Sequence, residues 1–144
     1  TLIQTRSSCL GSATQLSVIE MIKEDSIWIS HKKNNYHTYV FLYPSLGRFI
    51  NLHLINNQTQ TYQAQVGWLH VIDDITCKIC LDSSTVWKEE NYRLHNDTLE
   101  WSNEVDSFDM VLTDKEQLPE GIEHLIKEAH EKLNRIEKPK HERL

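Results

Sequence analysis

What this chain lacks narrows its roles before any motif is considered. No apolar run approaches the roughly 20 residues that span a bilayer, and no basic region followed by a hydrophobic stretch opens the N-terminus, so a soluble chain is expected. Positive charge is sparse: 15 Lys and Arg stand against 21 Asp and Glu, a net charge of −6. Broad attraction to nucleic acid or an anionic membrane needs clustered cations. The densest cationic group, Lys138, Lys140 and Arg143, is interleaved with Glu137 and Glu142, so neither partner is expected. Cysteine is scarce too. Cys9, Cys77 and Cys80 are an odd set in a 144-residue chain long enough to build a core without staples. A reducing, cytoplasmic location is therefore expected, with secretion as the alternative because Asn57-Gln58-Thr59 and Asn96-Asp97-Thr98 fit the glycosylation acceptor pattern.

The commoner catalytic signatures are also missing. GxSxG, the P-loop, GxGxxG and HExxH do not occur. Cys77-Lys78-Ile79-Cys80 has the spacing of a zinc or redox pair, but in a strand positions i and i+3 point to opposite faces, so the two sulfurs diverge. Eight histidines are dispersed along the chain; His53 and His70 lie in expected long strands and could face a barrel lumen.

What is present is a clear architecture. Between Ser26 and Trp101 apolar and aromatic residues alternate with period 2 and are broken by short polar turns. Ile27–Ile29, Tyr36–Tyr43, Phe49–Ile55, Thr61–Val71, Ile75–Leu81, Val86–Trp87, Tyr92–Leu94 and Leu99–Trp101 read as strands, with Gly67 as a bulge. On the third of these the even-numbered residues Ile50, Leu52 and Leu54 are expected in the core. Residues 15–23 fit a short helix or an irregular strand. Ile122, Leu125, Ile126, Ala129, Leu133 and Ile136 then fall on one face of a helix that begins near Pro119. About eight sequential antiparallel strands tend to close, because closure removes exposed edges. The expected fold is mainly β: a small antiparallel barrel with a C-terminal amphipathic α-helix laid on its wall or mouth. Residues 1–12 read as a flexible lead-in, 13–137 as one domain and 138–144 as a charged tail.

Chemistry, if present, is expected in the acidic residues. Asp73 and Asp74 sit at a strand junction, and Asn103, Glu104 and Asp106 follow Trp101; such oxygen donors suit a hard divalent cation, and equally suit turns and helix caps. The segment Leu99-Glu100-Trp101-Ser102-Asn103-Glu104-Val105-Asp106-Ser107-Phe108, with Leu118-Pro119 and the helix beyond, resembles the W-K-D-E-D-E-F stretch of the FomD-like barrel proteins, which include metal-dependent nucleotide phosphohydrolases. Gly47–Leu52 and Val71–Cys77 resemble two further segments of that family. The resemblance spans residues 38–136 and implies Mg²⁺ or Mn²⁺ held by Asn51, Asp73, Asn103 and Asp106. It implies Asp74, Glu104 and Lys78 as catalytic groups, and hydrolysis of a nucleoside di- or triphosphate; Lys78 or Arg48 would offset phosphate charge. The chain departs from the family at Ser102, where Lys is usual, at Asn103, where Asp is usual, and at Thr76 and Cys77, where a second Asp is usual. Fewer carboxylates weaken compensation of a divalent charge, so a degenerate, non-catalytic member is included.

Two other classes fit the same architecture. One is a lipocalin-like barrel in which Trp28, Tyr39, Tyr62, Trp68 and Trp87 line a pocket for a small apolar ligand, although the Gly-x-Trp signature of lipocalins is absent. The other is a protein-interaction module with a lumen filled by its own side chains.

Overall fold

The computed structural model describes residues 25–140; the lead-in 1–12 with Cys9, its boundary with the domain at 13, the segment 15–23 and the last four residues of the tail lie outside them. Eight strands follow one another as an antiparallel meander: β1 Ile27–His31, β2 His37–Tyr43, β3 Arg48–Asn56, β4 Thr61–Val71, β5 Thr76–Leu81, β6 Lys88–His95, β7 Thr98–Ser102 and β8 Ser107–Thr113. Each pairs with its neighbour, and β8 pairs with β1 through Ile27↔Thr113, Trp28↔Leu112 and Ile29↔Val111, so the sheet is a closed barrel. One helix, α1 Ile122–Arg135, follows.

Turn chemistry explains the short connections. Asn34, Asn35 and Asn96 hold positive φ, the left-handed region that asparagine tolerates better than most residues. In the β3–β4 turn the Asn56 side chain accepts hydrogen bonds from the amides of Gln58 and Thr59.

Two strand boundaries differ from the sequence expectation. Val86 and Trp87 lie in the β5–β6 loop, and Lys88–His95 is one strand whose charged outward residues obscure its alternation. The eighth strand is Ser107–Thr113, whose hydroxyl and acidic start reads as loop in isolation. It is this strand that closes the barrel. Gly67 is not a bulge: it lies in regular register opposite Phe49 and Leu81, and a Cβ there would press on the Phe49 ring and the Cys80 carbonyl. The irregularity of this ladder is between Leu54 and Asn56.

Both faces of β2, of the first part of β3 and of the second half of β4 carry buried residues, against different partners. Inside the barrel Trp28, Val40, Leu42, Phe49, Leu69, Cys77, Tyr92, Leu99, Trp101 and Met110 form one core. Outside, Phe41, Ile50, Leu52, Val66, Trp68 and Cys80 form a second core with Ile122, Ala129 and Leu133 of α1. The even-numbered face of β3 is therefore core, but it is the core under the helix, while the odd-numbered face points into the lumen. Cys77 and Cys80 fall in different cores, as period 2 requires.

The helix begins at Ile122 rather than Pro119, because Gly121 takes a left-handed φ of 84° and breaks any earlier helical run. It is fastened to the wall by polar contacts as well. Arg48 Nη1 lies 3.2 Å from His130 Nδ1, Arg48 Nη2 donates to Asn134 Oδ1, and Lys132 pairs with Asp82 at 2.6 Å. The uncovered wall is mostly polar at its outward positions, with Lys78, Glu89, Arg93, Glu100 and Asp109 on β5–β8 and an exposed Val111 on β8. Among the described residues no helix is long and apolar enough to cross a membrane.

Candidate functional site in the barrel lumen

Alternation along each strand sends every second side chain inward, and those side chains leave a cavity of about 60 Å³ in the lumen. A water occupies on the order of 15 Å³, so the space matches about four small groups. The lining is mostly apolar, with Val40, Phe49, Leu69, Trp101, Phe108 and Met110 prominent, and two polar side chains enter it, Asn51 and Glu90.

Both polar groups are unusual. Asn51 Oδ1 is buried and accepts no hydrogen bond. An orphaned acceptor of this kind costs about 1–3 kcal/mol, and native proteins seldom keep one without use. Glu90 is only 6% exposed. One carboxylate oxygen accepts from the Trp101 indole Nε1, and the other accepts from Asn103 Nδ2 at 3.1 Å. Both donors are neutral, and among the described residues Glu90 takes part in no salt bridge. Its neighbourhood is correspondingly hostile to further negative charge. Burial, and then Glu90, push the Cys77 thiol well above its ordinary range, so this cysteine is an inert core residue. Burial does the same to the Tyr92 phenol, whose hydroxyl donates to the Asp73 carbonyl at 2.7 Å while its ring stacks on Trp101.

The cavity reaches solvent at one end. Phe108 lines it yet is 38% exposed. Beyond Glu90 lies a wider cleft of about 490 Å³ between the β5–β6 loop and the β7–β8 turn, lined by Trp87, Lys88, Glu89, Asn103, Glu104 and Asp106. Glu90 borders both spaces. The turn is rigidly built: Asn103 Oδ1 accepts from the amides of Val105 and Asp106, and its Nδ2 is thereby aimed at Glu90.

The residues singled out in the sequence divide into three groups. Asn51 reaches the cavity, and Asn103, Glu104 and Asp106 reach its mouth. Asp73 and Asp74 are in the β4–β5 turn, which in an up-and-down meander is at the opposite end of the barrel from the β7–β8 turn. Asp73 Oδ1 accepts from the Ile75 amide there, a local turn bond. Lys78 shares the outer face of β5 with Cys80, and Arg48 is engaged with α1. Of the residues expected to share Mg²⁺ or Mn²⁺, Asn103 turns its amide nitrogen toward Glu90 while its oxygen accepts from the turn amides, and Asp73 lies in the β4–β5 turn with its carbonyl bonded by Tyr92. No group of three or more His, Cys, Asp or Glu suited to a metal occurs among the described residues.

The aromatic residues are also redistributed. Trp28 faces the lumen, but Tyr39, Tyr62, Trp68 and Trp87 pack in the outer core, and the rings at the cavity are Phe49, Trp101 and Phe108. His53 shares the inward face of β3 with Asn51 and hydrogen-bonds Thr38 at 2.9 Å, whereas His70 lies opposite Lys78 on the outward face of β4. Glu90 was missed by sequence reasoning; its one available signal was an acid at an inward position of a strand otherwise reading Tyr92 and Leu94 on that side. No family model, curated protein or solved structure matches the chain.

Proposed function

We propose that this protein binds a small molecule in the lumen of its barrel, taking it in through the cleft between the β5–β6 loop and the β7–β8 turn. The observation that carries this is the unpartnered, buried Oδ1 of Asn51, a residue lining a mostly apolar cavity. A mostly apolar pocket with a few convergent polar groups is the usual form of a ligand site. The cleft, at about 490 Å³, is within the size range of such sites, and the inner cavity extends it to the polar anchors.

Nucleotide hydrolysis draws less support from the same surroundings. The mouth presents Glu89, Glu90, Glu104 and Asp106 against Lys88, a balance that repels polyphosphate, and the acids expected to share a metal come from opposite ends of the barrel. The cytoplasmic placement belongs to this proposal as well, supported by Cys77 and Cys80, which are free thiols on opposite faces of β5.

Binding is tested by following tryptophan fluorescence and thermal unfolding against a panel of small aromatic and aliphatic compounds. Parent protein is expected to give saturable quenching with one site, and Ile79→Phe, which fills the cavity, to remain folded and lose it. Absence of any saturable response across the panel, or equal binding by Ile79→Phe, refutes the proposal.

A further inference from the structure

We infer that the ligand is a small organic cation, an ammonium carried on an apolar or aromatic body. This rests on the ligand-binding proposal above and specifies its chemistry.

The unsatisfied polar atom at the cavity is an acceptor, and the one ionisable group in its lining is a carboxyl. Asn51 contributes Oδ1 and Glu90 its carboxylate, and no Lys, Arg or His is among the lining residues. A ligand that satisfies them must therefore donate. A neutral hydroxyl could serve Asn51, but Glu90 asks for more. The Glu90 carboxyl is only 6% exposed, has two neutral donors and has no cationic side chain beside it in the lining, and an ionised group so placed is costly unless an opposite charge comes to it. An ammonium supplies that charge together with up to three donors, enough to reach Glu90 and Asn51 at once.

The rings agree with this polarity. Trp101 and Phe108 line the same cavity, and aromatic faces attract cations, tryptophan most strongly. Tyr92 stacks on Trp101 with centroids 5.6 Å apart and holds that ring in place. The approach agrees too. Glu89, Glu104 and Asp106 on the cleft outnumber Lys88, so the entrance concentrates cations and disfavours anions. Size sets the last limit: the inner cavity of about 60 Å³ admits a head group of a few heavy atoms, and the remainder of the ligand lies in the cleft.

The test uses three compounds of one shape: benzylammonium, benzyl alcohol and benzoate, titrated into the full chain by calorimetry and tryptophan fluorescence. Benzylammonium is expected to bind at least tenfold more tightly than benzyl alcohol, with benzoate weakest, and raising the salt concentration is expected to weaken only the first. Glu90→Gln can still accept from one of Trp101 and Asn103, and is expected to remain folded by near-ultraviolet circular dichroism while erasing the preference for the amine. Equal affinity for amine and alcohol, or tighter benzoate binding, overturns the cation inference and leaves the lumen as a site for neutral or anionic ligands. Mg²⁺ or Mn²⁺ alone displacing benzylammonium overturns it in favour of an inorganic cation. Failure of all three compounds to bind, with other small molecules binding, also overturns it; failure of every compound removes the ligand-binding proposal itself.

Discussion

Replacing Asn51 by leucine separates a binding residue from a structural one. The two side chains have nearly the same shape, and Asn51 Oδ1 has no hydrogen-bond partner while it lies in an apolar lining. In the ligand-free protein the substitution therefore removes a desolvated acceptor without removing a bond from that atom. Deleting the unpaired acceptor is worth about 1–3 kcal/mol, and near this chain length about 1 kcal/mol corresponds to roughly 4 °C in Tm. Asn51→Leu is thus expected to raise Tm by about 4–12 °C and to move the urea midpoint upward at unchanged slope. The same change removes a charge-assisted hydrogen bond to a bound ammonium, so affinity for the amine is expected to fall about 10- to 100-fold. Stability gained together with binding lost marks a residue kept for function. A loss of more than about 1 kcal/mol in stability would show that Asn51 is a structural hydrogen-bonding group and would refute the reasoning.

Two other outcomes follow from the outer core and the histidines. Leu133 is 2% exposed beneath α1, so Leu133→Ala is expected to cost about 2–5 kcal/mol in urea unfolding, whereas Lys132→Ala, which breaks a partly exposed ion pair with Asp82, is expected to cost no more than about 1 kcal/mol. His37, His53 and His130 are all held below the ordinary histidine range, burial being the first cause in each case, with Arg48 adding to it at His130. A base with a lowered folded-state pKa binds protons more readily when unfolded, so stability is complete above about pH 6.5 and declines as pH falls below it. Urea midpoints measured between pH 8 and 5 check this, and a midpoint that rises on acidification through that window contradicts it.

Fold and site were legible in the sequence to different degrees because they depend on different distances along the chain. Strands β2, β3 and β4 carry strong local alternation, and the β4 limits Thr61–Val71 were readable directly. The face of α1 was readable from spacing alone, because Ile122, Ala129 and Leu133 recur at helical period. β6 and β8 were harder: their outward positions are charged or polar, and β8 earns its place by pairing with β1, some eighty residues earlier. Which buried face lines the lumen could not be read locally either. Both faces of β3 carry buried side chains, Ile50 and Leu52 against α1 and Phe49 with Asn51 against the cavity, and only closure of the barrel shows which face is the lumen.

The site shows the same limit more sharply. The resemblance singled out Asn51, and the cluster of oxygen donors after Trp101 singled out Asn103, Glu104 and Asp106, but grouping them with Asp73 required knowing which turns share an end of the barrel, a property of the whole meander. Glu90 became visible only once its burial and its bonds to Trp101 and Asn103 were on view.

The most direct test of the central claim is a crystal structure of the protein soaked with benzylammonium. The account predicts the ammonium nitrogen within hydrogen-bond reach of Glu90 and of Asn51 Oδ1 and against the faces of Trp101 and Phe108, with its ring in the cleft. A lumen closed by its own side chains, with Asn51 Oδ1 paired to protein and the amine elsewhere, would contradict it.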